Sequence, residues 1–172
     1  MRLTCSPEVK MAENTIVAWQ NSYSVGIRLI DEQHKELIRL TNKLFSNCNS
    51  IQERDRQIFL DTIHEVADYV GYHFGTEEKV MEKVKYPKYD EHKKEHTDFA
   101  REVSSKLEDF NTGKMRTSFS FVYYLRDWVL HHIAENDRQM GEHLQALHTS
   151  GELKKMTLRV KKDEATNRLE IH

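Results

Sequence analysis

Apolar residues recur at alternating three- and four-residue steps through most of this chain, the pattern of helices that each bury one face. Asp31 is placed to cap a first helix, along which His34, Leu37, Ile38, Thr41, Leu44, Phe45 and Cys48 share a side. A second stripe, from about Arg54 to Val84, carries Phe59, Thr62, Ile63, Val66, Tyr69, Val70, His73, Glu77, Val80 and Met81, and Tyr86-Pro87 ends it. A third starts near Asp90 with His92, His96, Phe99, Val103, Leu107 and Phe110 inward, and Asn111-Thr112-Gly113 breaks it. The fourth runs from about Thr117 to His148 and stops at Gly151. Between Thr15 and Ile30 the apolar residues are interleaved with Asn, Ser and Gly, which reads as an extended arm that packs on the helices.

Four helices joined by short connections predict an all-α fold, an antiparallel up-down-up-down four-helix bundle with an N-terminal arm and a C-terminal tail. Residues 1–16 show no period and read as a flexible extension, 17–148 as the bundle, and 149–172 as a charged tail. One step breaks the helical rhythm. Phe121, Leu125, Trp128 and His132 are followed by Asp137, Met140, Leu144 and Leu147, so the stripe jumps five residues between His132 and Asp137. On a regular helix that jump rotates the two by ~140°. A π-bulge absorbing one extra residue restores the alignment, and distortion is predicted there.

Composition narrows the class. With 38% apolar and 31% charged residues but only 6 Gly and 2 Pro, the chain is suited to long amphipathic helices. A formal charge of −2 gives no reason to expect nucleic acid or a membrane surface as partner. No segment resembles a signal peptide or reaches the ~20 apolar residues of a membrane span, so a cytoplasmic protein is expected. Cys5 and Cys48 are too few and too far apart for a disulfide framework, and both read as reduced thiols, Cys48 half-buried on a helix and Cys5 in a loose arm.

The chemistry lies on the stripes themselves. Residues four apart on a helix stand ~40° and ~6 Å apart, so His73 with Glu77, and His92 with His96, form chelate-shaped pairs. His34 comes from the first helix and His132 with Asp137 from the fourth. Any one of these is ordinarily a core histidine or a surface pair. Jointly, burying seven polar groups without a cation carries several kcal/mol of desolvation for each unpaired charge. Other histidines fall elsewhere: His64 on the opposite face, His131 rotated ~100° from His132, His143 about three turns from it, and His148 and His172 at or beyond the bundle end. Glu78 rotates off the stripe and reads as a surface residue. Nitrogen-rich donors mixed with carboxylates suit iron, and seven donors exceed one ion, so two metals follow, with carboxylates able to bridge them.

In order and spacing, His34, His73/Glu77, His92/His96 and His132/Asp137 resemble the seven iron ligands of the hemerythrins, most closely the bacterial ones. Trp19, Ser24-Val25-Gly26-Ile27, Asp31 through His34, Phe74, Met81 and Trp128 carry the likeness through roughly residues 17 to 148. The resemblance implies an oxo- or hydroxo-bridged non-haem di-iron centre in which Glu77 and Asp137 bridge. His92, His96 and His132 would lie on one iron, and His34 and His73 on the other, which is left short of a ligand. Reversible dioxygen binding at that iron, for carriage, storage or delivery, is the implied function. Val129 stands where the relatives commonly have leucine, so it is expected to border the oxygen pocket and, being smaller, to speed autoxidation.

Catalysis is not expected beyond a weak peroxidase-type reaction. A ferritin-like enzyme or store would show paired Glu-x-x-His motifs, and these stripes carry none. The alternatives are a di-iron peroxidase or nitric-oxide-reactive enzyme at the same open iron, and an oxygen or redox sensor acting through a protein partner. The run Lys154 to Lys162 in the tail is the candidate docking segment, though the tail as a whole is expected to be disordered.

Overall fold

A computed structural model describes residues 15–49, 53–114, 118–156, 160–163 and 168–171. Helices α1 (Arg28–Ser46), α2 (Glu53–Lys83), α3 (Tyr89–Asn111) and α4 (Ser118–His132) run into α5 (Arg138–Ser150) through a π-helical segment, Ile133–Asp137. The α4–π–α5 unit is the fourth rod of a four-helix bundle. The expected distortion therefore lies where the five-residue step placed it. No helix among the described residues is long and apolar enough to cross a membrane.

Helix α1 begins one turn before the expected cap. Asp31 does not cap it; lying inside the first turn, its carboxylate accepts hydrogen bonds from the Val25 amide at 2.8 Å and the Ser24 hydroxyl at 2.7 Å. That reach back stabilises the preceding turn, which Gly26 bends with a φ of 78°. The arm packs as its pattern indicated. Asn42 on α1 accepts from the Ile16 and Val17 amides at 3.0 and 3.2 Å and donates to the Val17 carbonyl at 2.8 Å. At the other end of α2, Lys85 takes the left-handed conformation at φ 52°, and the Tyr86 amide closes the helix on the Met81 carbonyl at 2.9 Å.

Two apolar clusters make the core. One holds Leu37, Leu44, Ile63, Val70, Phe99, Leu125 and Ile133; the other holds Ile27, Ile30, Val80, Met81, Met140, Leu144 and Leu169. On α1, α2 and the fourth rod the metal-type residues fall between the two clusters, and on α3 they fall between Phe99 of the first and Tyr89, which packs against the second. The polar layer thus interrupts the core across the whole bundle. Cys48 is buried, not half-buried, with its thiol against the Leu44 carbonyl at 3.3 Å. Cys5 and His172 lie outside the described residues.

The C-terminal segment is not a loose tail where it is described. Strands β1 (Val160–Asp163) and β2 (Arg168–Ile171) form an antiparallel pair in the register Val160↔Ile171 to Asp163↔Arg168. Leu169 is fully buried in the second cluster, its amide donates to the Gly26 carbonyl at 2.8 Å, and it bridges Ile27 in parallel. Arg168 reaches Asp31 at 3.3 Å and Arg28 reaches Glu170 at 2.7 Å. The apolar residues in this charged stretch alternate on one face of β2, a two-residue period that a search for helical stripes passes over. Leu169→Ala is expected to destabilise the fold by about 2–5 kcal/mol, measured by chemical unfolding, since it removes a fully buried leucine and leaves a cavity.

Candidate metal centre

Each rod contributes to the polar layer by its own geometry. His34 sits two turns into α1, His73 and Glu77 are one turn apart on α2, and His92 and His96 one turn apart on α3. The π segment turns Asp137 back onto the face of His132. All seven side chains are at most 3% exposed. Their ligand-type atoms fall into two groups, Glu77 with His92, His96 and His132, and Glu77 with His34, His73 and Asp137, each group's atoms lying within 4.8 Å of one another.

The carboxylates span the two groups. Glu77 turns Oε1 toward His73 Nε2 (3.6 Å) and His34 Nε2 (3.9 Å), and Oε2 toward His96 Nε2 (3.3 Å) and His92 Nε2 (3.7 Å). Asp137 turns Oδ2 toward His34 Nε2 (3.1 Å), and Oδ1 toward His92 Nε2 (3.2 Å) and His132 Nε2 (3.1 Å). Each carboxylate therefore offers one oxygen to a two-histidine side and the other to a three-histidine side.

On the three-histidine side the ring nitrogens crowd together, with His132 Nε2 3.1 Å from His92 Nε2 and 3.0 Å from His96 Nε2. Both His34 nitrogens, both Glu77 oxygens, both Asp137 oxygens and His92 Nδ1 are buried without a hydrogen bond of good geometry; among the described residues, the other such side-chain atom is His143 Nε2. Buried polar atoms are normally paired, so a concentration of unpaired donors and acceptors in one layer is what a cation site requires. The donor set fits two ions with nitrogen and oxygen preference.

A family model for the hemerythrin HHE cation binding domain matches residues 25–166. The chain belongs to the hemerythrin family. A bacteriohemerythrin of Stenotrophomonas maltophilia is 31% identical over 131 residues, 76% of this chain and 83% of the relative. One from Clostridium acetobutylicum is 28% identical over 125 residues, 70% of this chain and 95% of the relative. A solved structure of wild-type hemerythrin superposes with a TM-score of 0.69 at 25% identity, covering 74% of this chain and 96% of the other. The hemerythrin fold, a four-helix bundle, is thereby shown, with non-haem iron as the metal the family implies.

Around this hemerythrin layer stands a set of partners that the stripes did not reveal. Gln33 Oε1 lies 3.1 Å from His73 Nδ1, and Glu78 Oε1 lies 3.2 Å from His96 Nδ1. Glu95 Oε2 is 3.5 Å from His132 Nδ1, beside Asn136, whose amide nitrogen is bonded to Glu95 and lies 3.3 Å from the same ring nitrogen. An oxygen acceptor at Nδ1 holds the proton there and leaves the Nε2 lone pair pointing into the layer, as a ligating imidazole requires. Glu78 is thus no ordinary surface residue; it faces outward from the stripe yet reaches a buried ring, and Lys93 holds its other oxygen at 3.1 Å. A polar residue directly preceding or following a candidate ligand was the available signal, met by Gln33 before His34 and Glu78 after Glu77.

Aromatic rings fix the remaining freedom. Phe74 stacks on His96 at 3.7 Å and 4°, and Trp128 stacks on His132 at 4.4 Å and 15°. Val129 is buried against a cavity of about 10 Å³ that also touches Leu37, His73, Phe74, His132 and Ile133. His64 and His131 are exposed and His143 packs on Tyr86, so none of these enters the layer.

Electrostatics balance the layer when it holds no metal. Burial opposes charge on His34 and His92, but the Asp137 and Glu77 carboxylates outweigh it and raise both to about 9. Burial pushes His73 down to about 4, keeping it neutral. Burial also works against ionised Glu77 and Asp137, yet the surrounding imidazoles hold both well below the carboxylate range. Two imidazolium charges then offset two carboxylates.

Because His34 and His92 have folded values raised from 6.5 to about 9, their contribution to the metal-free fold is complete below pH 6.5 and is lost as pH climbs through 9. Thermal melts of chelator-treated protein should show the melting temperature falling between those limits. Glu78→Ala, which removes the acceptor at His96, is expected to weaken iron binding by about 10–100-fold in competition with a chelator.

Proposed function

We propose that this hemerythrin-family protein binds dioxygen reversibly at a di-iron centre, as a carrier or store rather than as an enzyme. In this reading Glu77 and Asp137 would be shared between the two ions, His92, His96 and His132 would hold one, and His34 and His73 would hold the other. The observation that carries it is the asymmetry of the layer: each carboxylate gives one oxygen to each side, while the side of His34 and His73 has one nitrogen fewer. Two iron ions held there would supply the electrons that dioxygen binding needs.

The protein's own residues decide what happens next. Leu37, Val70, Phe74, Trp128, Val129 and Ile133 line the small cavity beside His73 and keep water from it. Apart from His73, His132 and Asp137, which belong to the layer, the cavity wall holds no acid or base that could deliver a proton and drive oxygen–oxygen cleavage. A dry pocket without a proton donor favours release of the same molecule that entered. Val129, one turn before His132 on α4, forms part of that wall.

Loaded anaerobically with ferrous salt, the protein should retain two irons per chain; His73→Ala and Glu77→Ala should lose stoichiometric metal, and His64→Ala should keep it. Exposed to air, the reduced protein should develop a visible absorption band that argon removes and air restores. Immediate irreversible oxidation with turnover of a reductant would instead mark an enzyme.

A further inference from the structure

The cavity beside His73 does not end in solid core. Two of its wall residues, Val70 and Phe74, also line an apolar cleft of about 150 Å³ between α2 and α3. A wall shared by two cavities is one side chain thick. On the far side the cleft opens between Ala67 and Gly71 of α2 and Ala100 and Ser104 of α3, all four exposed at its rim.

Gly71 supplies a second, independent observation. A glycine inside a helix destabilises it relative to alanine, so its presence asks for a reason. Gly141 has one, because a Cβ there would collide with the Val25 carbonyl. Gly71 and Gly75 of α2 have neither that reason nor a left-handed backbone, with nothing within 4 Å of where a Cβ would be; of the two, Gly71 lines the cleft. What the missing side chain does is leave the cleft mouth clear.

We propose that the α2–α3 cleft is a binding site for small apolar gases, the antechamber through which dioxygen reaches the centre past Val70 and Phe74. The proposal rests on the dioxygen reading given above. Apolar cavities of about this volume take up xenon or benzene rather than ordered water. A neutral diatomic gas gains from such a site, whereas ions and strongly hydrated solutes lose hydration on entering it. Phe74 is pinned by its stack on His96, so Val70 is the side chain whose rotation opens the wall.

Two measurements decide the matter. Xenon-pressurised crystals of the unmodified protein should show xenon in the cleft, and Gly71→Phe and Ala67→Phe should abolish it. In the iron-loaded protein, stopped-flow and flash photolysis should find dioxygen association and dissociation each slowed at least fivefold in Gly71→Phe and in Ala67→Phe, with the equilibrium constant unchanged. Val70→Ala should speed both. Iron content and helical signal, held equal to those of the unmodified protein, show that the variants are folded. An empty cleft under xenon, or reversible dioxygen binding at unaltered rates in both filled variants, would overturn the antechamber and leave the proposed function standing. An unmodified protein that holds two irons yet binds no dioxygen reversibly would overturn the function and the route together.

Discussion

Seven polar side chains held in one dry layer, with apolar core above and below, is the condition the whole bundle has to meet. Desolvating that many donors and acceptors is unfavourable unless something bridges them. Among side chains alone the layer reaches only a partial solution, two charged imidazoles against two carboxylates, with seven atoms of three residues and His92 still lacking a well-formed hydrogen bond. The arrangement is one that cations could complete. Where such a layer holds metal, the free energy of binding becomes part of the free energy of the fold.

Helix α2 shows how finely one rod can divide its labour. Within little more than two turns it presents Val70 and Phe74 to the small cavity, His73 and Glu77 to the layer, and Glu78 to the back of His96 on its neighbour. Thr76 receives the Gln33 amide at 3.2 Å while Gln33 reaches His73, so that a residue of α1 steadies a ring of α2. Such outer contacts set the tautomer and angle of the imidazoles, and with them the affinity for metal.

The polar layer was legible because two residues four apart on a helix share a face, and because each pair lay on a stripe that had to be buried. The π segment was legible for the same reason: a five-residue step cannot keep one face on a regular helix. Gln33, Glu78 and Glu95 were not, since their side chains leave their own helices sideways and their targets lie on other rods, which periodicity along one rod does not encode. The start of α1 was misplaced because Asp31 resembles a cap in sequence, whereas its carboxylate serves Ser24 and Val25 from within the helix. The C-terminal strand escaped for a further reason. A lone leucine between charged residues carries little signal until its partner, the carbonyl of Gly26 at the opposite end of the chain, is known.

That last pairing sets an order of assembly. Residues 168–171 leave the ribosome after every helix has been made, so the arm that Asp31 anchors stays without its final strand throughout synthesis of the bundle. The four rods must therefore be able to collapse around their polar layer before the seal exists. A contact between segments so distant along the chain forms late because closing a long loop is entropically unfavourable. The end of the molecule that holds the second apolar cluster is in this way the last to be fastened, by a strand that adds nothing to the polar layer.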